Sequence, residues 1–144
     1  MNGQSSNYLQ DFCIYNDILI NGIIPMKLYQ NQFGYFILNL DFDYKIRGGT
    51  HYIAMVKILD DNYTDVIYYF DSYGVICPPE FKKIIGNTNL FYNNIDLQKL
   101  TEKDCGIWCC LFLKLMGLFK NISLKDFNNV CQYMKDIKIK WNQI

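Results

Sequence analysis

This sequence has a single histidine, no net charge and no long apolar run. Its 144 residues contain one histidine, and 14 Lys and Arg residues balance 14 Asp and Glu residues to a formal net charge of zero. A neutral chain gives no general electrostatic case for binding nucleic acid or an anionic membrane, so nucleic acid is not expected as an obligate cofactor. Because no apolar stretch is long enough to span a bilayer, no membrane partner is expected either.

The six cysteines do not follow the pattern of a disulfide framework or of a zinc site. Residues 1–6 lack the charged and apolar regions of a signal peptide, so we expect a reducing, intracellular setting with free thiols. Cys77, in the loop after Gly74, is the thiol that we expect to be exposed. No C-x-x-C pair is present, and a zinc site built from Cys77, Cys105, Cys109 and His51 would have no standard ligand spacing. Neither a metal nor any other cofactor is expected.

The composition predicts one folded domain over residues 1–144, because 51% of the chain is hydrophobic and 17% is aromatic. Strands come first and helices lie near the ends, which favours an α+β fold over repeated βαβ units. We expect a small mixed or antiparallel sheet packed against a central buried helix. The predicted strands are 34–40, 50–58, 66–70 and 90–95, and the predicted helices are 80–85, 107–116 and 124–135. Asn21-Gly22 is predicted to form a turn.

Cys105 begins the apolar segment Cys-Gly-Ile-Trp-Cys-Cys-Leu-Phe-Leu, so we expect it at the N-terminus of the buried helix. A thiol attacks as its thiolate, and the unpaired N–H groups at a helix N-terminus favour negative charge. Gly106 has no side chain, which lets a substrate backbone approach the sulfur. The alternative is that Cys105 is a small buried apolar residue, as cysteine commonly is.

His51 follows two glycines at the start of the second predicted strand, and Asp71 ends the third. If these two strands form a hairpin about residues 60–63, His51 and Asp71 come close together. The carboxylate could then orient the imidazole as a general base. The alternative for Asp71 is that it caps the turn formed by residues 72–74.

Gln98 lies seven residues before Cys105. Its amide can donate a hydrogen bond, together with the backbone N–H of Cys105, to the oxyanion that forms when a thiolate attacks a carbonyl. A glutamine in a polar loop indicates nothing by itself. The spacing from Cys105 is what makes it a candidate.

With these residues, the sequence resembles the clan of cysteine peptidases that contains adenain, the adenovirus protease, and the ubiquitin-like proteases. Residues 48–52, Gly-Gly-Thr-His-Tyr, are similar to the family's Gly-Gly-x-His-Trp strand. Asp71 stands where the family has its acidic residue, and Gln98 and Cys105 follow in the family's order. Phe-Asp-Ser at 70–72, followed by Pro78-Pro79, is most similar to proteases of virophages and Maverick/Polinton-type elements. Adenain has Glu at the acid position, so Asp71 is more like the deSUMOylating enzymes.

The resemblance implies a viral cysteine endopeptidase that cleaves capsid precursor proteins during virion maturation, in the virion and the infected cell. Cys105 would attack the scissile carbonyl with His51 as base, Asp71 would orient His51, and Gln98 and the Cys105 amide would form the oxyanion hole. Two alternatives remain open. One is a deconjugating protease acting on ubiquitin-like proteins, and the other is a non-catalytic binding module with the same fold.

The resemblance also implies where a substrate lies. Arg47, Gly48 and Gly49 precede the histidine in a loop and are expected to line the substrate cleft. Tyr52 and Gly106, beside the histidine and the cysteine, are expected there as well. Tyr52 replaces the family's Trp, so any stacking on the imidazolium is expected to be weaker.

Overall fold

A five-stranded mixed sheet with helices on both faces forms the fold. The computed structural model describes residues 5–40, 51–97 and 105–142. The strands are β1 (Gly22–Pro25), β2 (Gly34–Asn39), β3 (Tyr52–Leu59), β4 (Asp65–Phe70) and β5 (Asn89–Tyr92). The helices are α1 (Ser6–Tyr15), α2 (Pro79–Ile85), α3 (Cys105–Met116) and α4 (Leu124–Asn142), with a 3-10 turn at Met26–Leu28. The predicted α+β class is confirmed.

The strands lie in chain order across the sheet, β1-β2-β3-β4-β5. The two outer pairs, β1 with β2 and β4 with β5, are parallel, and the two inner pairs are antiparallel. β3 and β4 form the predicted hairpin, with Leu59 opposite Asp65. Asp60 closes its turn, because its Oδ1 accepts hydrogen bonds from the backbone N–H groups of Asn62 at 2.8 Å and Thr64 at 2.9 Å.

Both faces of the sheet are buried, which explains why β3 is a nearly continuous apolar run instead of an alternating one. Ala54 and Val56 face a core that they share with α1, α3 and α4. Ile53 and Met55 point to the opposite face and a second core under α2 and the 3-10 turn. The sheet is therefore the middle layer of three.

α3 is the predicted central helix, and it packs against β3, α1 and α4. It is apolar on most of its surface because it is enclosed by these neighbours. The Phe112 ring stacks on the ring of Phe70 at the end of β4, with 4.9 Å between centroids and 10° between planes. The helix begins at Cys105, two residues before its predicted start. The stack fixes the end of β4 relative to the helix that begins with Cys105.

Ser123 and Asp126 cap the start of α4. Ser123 Oγ accepts from the Asp126 N–H at 3.2 Å, and Asp126 Oδ2 accepts from the Ser123 N–H at 2.9 Å. This reciprocal pair is a capping box. The helix continues to Asn142, beyond its predicted end at 135.

Three predictions about the fold are corrected. Gly22 belongs to the parallel edge strand β1 and not to a turn, and Asn21 Oδ1 accepts from the Tyr35 N–H at 2.8 Å to tie β1 to β2. The prediction that Cys77 is exposed is wrong, because its side chain is buried in the second core. β5 ends at Tyr92 and not at residue 95.

Candidate active site

The backbone at the start of β3 contacts the first residue of α3. The Leu40 N–H donates to the His51 carbonyl at 2.8 Å, which extends the pairing of β2 and β3. A trans peptide points its C=O and N–H in opposite directions, so this bond turns the next N–H, that of Tyr52, away from β2. The Tyr52 N–H instead donates to Cys105 Sγ at 3.5 Å. The backbone before β3 is thereby fixed beside the cysteine.

His51 and Asp71 are in direct contact. His51 Nε2 lies 3.0 Å from Asp71 Oδ1, and Asp71 is 4% exposed. In the hairpin, Ala54 pairs with Phe70, and the same register continued by three residues places Tyr73 opposite His51. Asp71 is then the diagonal neighbour of His51, which is close enough for their side chains to meet. Asp71 Oδ1 also accepts from the Tyr73 N–H at 2.8 Å. The same carboxylate oxygen therefore contacts His51 and caps the turn that follows β4.

The charges around His51 favour its protonated form. Burial lowers the pKa of His51, but hydrogen bonds to Asp71 and Cys105, with the negative charges of both partners, raise it more, from 6.5 to about 9. Since Nε2 is engaged with Asp71, Nδ1 is the ring nitrogen left for the cysteine. An imidazolium held between a carboxylate and a sulfur is the arrangement that activates a thiol for nucleophilic attack.

Exposure does not distinguish Cys105 from two other buried thiols, because Cys105, Cys77 and Cys131 are each 5% exposed. Burial raises the pKa of Cys77, and it raises that of Cys131 to about 12. Cys13 and Cys110 contact each other, with 3.6 Å between their sulfurs. Proximity to His51, and not access to solvent, is therefore what sets Cys105 apart.

Two tyrosines next to the site differ from the expected arrangement. The Tyr52 side chain is 2% exposed in the core, and its hydroxyl lies 3.2 Å from Ser6 Oγ of α1. The side chain of Tyr52 thus packs into the core toward α1, while its backbone N–H faces Cys105. The ring beside His51 is Tyr73, with 5.1 Å between centroids and 42° between planes. Sequence reasoning did not single out Tyr73, because only the hairpin register sets it opposite His51.

Asn93 is a second residue that the sequence analysis missed. Its buried side chain binds the backbone of Asp71 on both sides. The sequence does contain a sign of this contact, because Asn93 directly follows β5 and Asp71 directly follows β4. When two neighbouring strands are parallel, the residues that follow them lie at the same end of the sheet.

The described residues bring together His51, Asp71 and Cys105, with Gly106 buried in the first turn of α3. Four other predicted site residues lie outside the described residues: Arg47, Gly48, Gly49 and Gln98. Cys77 lies in the core on the opposite face of the sheet from Cys105 and Cys109, so the zinc ligand set considered from the sequence does not converge.

Within residues 5–40, 51–97 and 105–142, no three His, Cys, Asp or Glu side chains are grouped as metal ligands would be. Among the helices of these ranges, none combines the length and the apolar character that a membrane crossing requires.

The protonation of His51 can be measured directly, because the chain has one histidine and its imidazole NMR signals need no assignment. We expect a titration midpoint of about 9, so that the ring is charged at neutral pH. Asp71→Asn and Cys105→Ala should each lower the midpoint, because each removes a partner that favours the proton. A midpoint at or below 6.5 in the unmodified protein would contradict this electrostatic description.

Comparison with known proteins gives matches to solved structures alone. No family model matches the sequence, and no curated protein matches it. A crystal structure of the ASFV pS273R protease is similar with a TM-score of 0.49 and 14% identity, over 90% of this chain and 63% of that one. The Se-Met crystal structure of the same protease gives a TM-score of 0.48 and 15% identity, over 92% and 68%.

This chain thus spans less than two thirds of the first of these proteases. At this level of similarity the matches add no evidence about chemistry. Any activity, substrate or partner of this chain has to be inferred from its own residues.

Proposed function

We propose that this chain is a cysteine endopeptidase of the adenain and ubiquitin-like-protease clan, with Cys105 as its nucleophile. The observation that carries the proposal is the hydrogen-bonded series from Asp71 to His51 to Cys105, in which Asp71 Oδ1 and His51 Nε2 are 3.0 Å apart. Asp71 is the residue after β4, His51 is the residue before β3, and Cys105 is the first residue of α3. Nucleophile, base and orienting group within hydrogen-bonding reach form the signature of nucleophilic catalysis.

The chemistry follows from these contacts. The Cys105 thiolate attacks the scissile carbonyl carbon, forming a C–S bond while the carbonyl oxygen takes the negative charge. His51, which holds the proton taken from the Cys105 thiol, gives it to the leaving amine as the C–N bond breaks and an acyl-enzyme remains. His51 then takes a proton from water, which attacks the thioester and releases the acid and Cys105. Asp71 holds the ring in orientation throughout.

Hydrogen bonds to the sulfur and the oxyanion complete the proposed mechanism. The Tyr52 N–H, 3.5 Å from Cys105 Sγ, donates to the thiolate before attack. Cys105 is the first residue of α3, so the unpaired N–H groups of the first helical turn favour negative charge there. Gln98 and the Cys105 N–H remain the predicted donors to the oxyanion.

We further propose that the substrates are viral capsid precursor proteins, cleaved in the virion and the infected cell. The resemblance of residues 70–72 and 78–79 to proteases of virophages and Maverick/Polinton-type elements supports this choice. Arg47, Gly48 and Gly49 are the proposed cleft residues. No cofactor is included in the proposal, because a thiolate, an imidazolium and a carboxylate are sufficient for peptide hydrolysis.

A cleavage assay with purified protein tests this proposal. The capsid precursor from the same genome and fusions to SUMO, ubiquitin or NEDD8 are supplied separately, and the N-termini of the products are sequenced. We expect cleavage of the precursor at internal bonds. Cleavage of the fusions alone would replace capsid maturation by deconjugation, with the same catalytic residues. No cleavage, with Cys105 unreactive toward iodoacetamide, would favour a non-catalytic binding module.

A further inference from the structure

A buried asparagine binds both backbone polar groups of Asp71. Asn93 is 4% exposed. Its Oδ1 accepts from the Asp71 N–H at 2.8 Å, and its Nδ2 donates to the Asp71 carbonyl at 2.7 Å. A single side chain therefore satisfies the donor and the acceptor of the residue whose carboxylate contacts His51.

The Asp71 backbone needs these hydrogen bonds because the regular pairing of β4 with β5 ends before it. β4 and β5 pair in parallel up to Tyr69 and Tyr92, and the Asn93 N–H donates to the Tyr69 carbonyl at 3.3 Å. Asp71 lies beyond the last regular pair, where a buried backbone N–H and C=O still require partners. The Asn93 amide carries one donor group and one acceptor, so it supplies the two hydrogen-bond partners that a neighbouring strand would otherwise provide to Asp71.

The same amide also fixes the segment that follows it. Asn93 Nδ2 donates to the Ile95 carbonyl at 3.1 Å, as well as to Asp71. Across from it, the Gly74 N–H donates to the Asp71 carbonyl at 2.8 Å, which closes the turn 71–74. Gly74 has φ +72°, and a Cβ there would lie 3.0 Å from the carbonyl carbon of Ile95. The backbone of the turn 71–74 therefore packs against the backbone of residues 94–95, and the Asn93 side chain is hydrogen-bonded to both.

We propose that Asn93 is a positioning residue of this site, which fixes the Asp71 peptide so that the carboxylate is held toward His51. This inference rests on the proposed function for its meaning in catalysis. Asn93 does not touch the reacting atoms and acts through Asp71. If the amide is lost, the Asp71 N–H loses its partner and the peptide can rotate, which moves the carboxylate away from the imidazole.

The chemistry of the amide defines the test variant. Asn93→Leu keeps the approximate size of the side chain but removes both the acceptor for the Asp71 N–H and the donor to the Asp71 and Ile95 carbonyls, without adding a charge. Asn94→Leu is the matched control, because it makes the same replacement one residue later at an exposed position. Asn93→Ser is the second variant in case Asn93→Leu does not fold, with folding checked by circular dichroism.

Two readouts separate positioning from general stability. In the NMR titration of His51, we expect both Asn93 variants to lower the midpoint by about one unit, while Asn94→Leu leaves it unchanged. In the cleavage assay, we expect kcat to fall roughly tenfold or more with KM little changed, because the lost interaction serves the chemical step. In an Asp71→Asn background the same substitutions should have little further effect on kcat, because the two residues act as a unit.

The outcomes distinguish this inference from the proposed function. A folded Asn93 variant with an unchanged His51 midpoint and unchanged kcat would overturn the positioning role and leave the protease intact. Losses that add fully to those of Asp71→Asn would overturn it as well. If the unmodified protein cleaves nothing, but the His51 midpoint falls in the Asn93 variants, the positioning of Asp71 stands and the proposed function fails.

Discussion

Cys105→Ala should abolish peptide cleavage, with a loss of roughly 10⁴-fold or more in kcat, because no other group in the described site can form the acyl intermediate. The substitution removes only the sulfur, at a position that is 5% exposed. Substrate binding should persist, so KM or the dissociation constant of the precursor should change little. Cleavage of the capsid precursor, followed by gel electrophoresis, measures the loss.

Cys131→Ala is the matched control for this experiment. Cys131 has the same exposed fraction as Cys105, 5%, but lies in α4 and has a pKa raised to about 12 by burial. The Cys131→Ala variant should therefore cleave at a near-normal rate, although it loses a buried sulfur just as Cys105→Ala does. Comparable activity in Cys105→Ala and the unmodified protein would rule out Cys105 as the nucleophile.

His51→Gln should reduce cleavage almost as far, by roughly 10³-fold or more, because it removes the group that carries the proton to the leaving amine. Glutamine is polar and can donate to Asp71 Oδ1, so the buried carboxylate keeps a partner and the fold should hold. The chain contains one histidine, so no neighbouring imidazole can substitute. Single-turnover cleavage at several pH values is the appropriate measurement.

The double variant provides the control for His51→Gln. If His51 and Cys105 act as one unit, adding His51→Gln to Cys105→Ala should cause no further loss. Thermal unfolding of each variant separates a catalytic effect from a folding effect. Full activity in a folded His51→Gln protein would refute the proposed mechanism as a whole.

The parts of the fold and site that follow from local sequence could be predicted. The hairpin depends on a tight turn at Asp60 and on apolar strands either side, so the approach of His51 to Asp71 followed from adjacent segments. The central helix and its N-terminal Cys105 followed from a continuous apolar run. The capping box at Ser123 is likewise a four-residue pattern.

What could not be predicted depends on contacts between distant segments. β1 is short, lies at the sheet edge and ends in Pro25, so its pairing with β2 leaves little trace in its own residues. The burial of Cys77 depends on α2 covering the second face of the sheet. The role of Asn93 requires β5 to lie parallel to β4, an arrangement that residue patterns alone leave undetermined. The approach of Cys105 to His51 was supported by resemblance, since no local rule joins α3 to β3.

Alkylation of the cysteines by iodoacetamide at neutral pH, mapped by mass spectrometry over time, tests the central claim most directly. Three thiols have the same exposed fraction of 5%, so their relative rates report chemical activation and not access. Cys105 should be modified well before Cys77 and Cys131, and His51→Gln should remove that advantage. Modification of Cys105 no faster than Cys131, or at the same rate with and without His51, would contradict an activated thiol at this site.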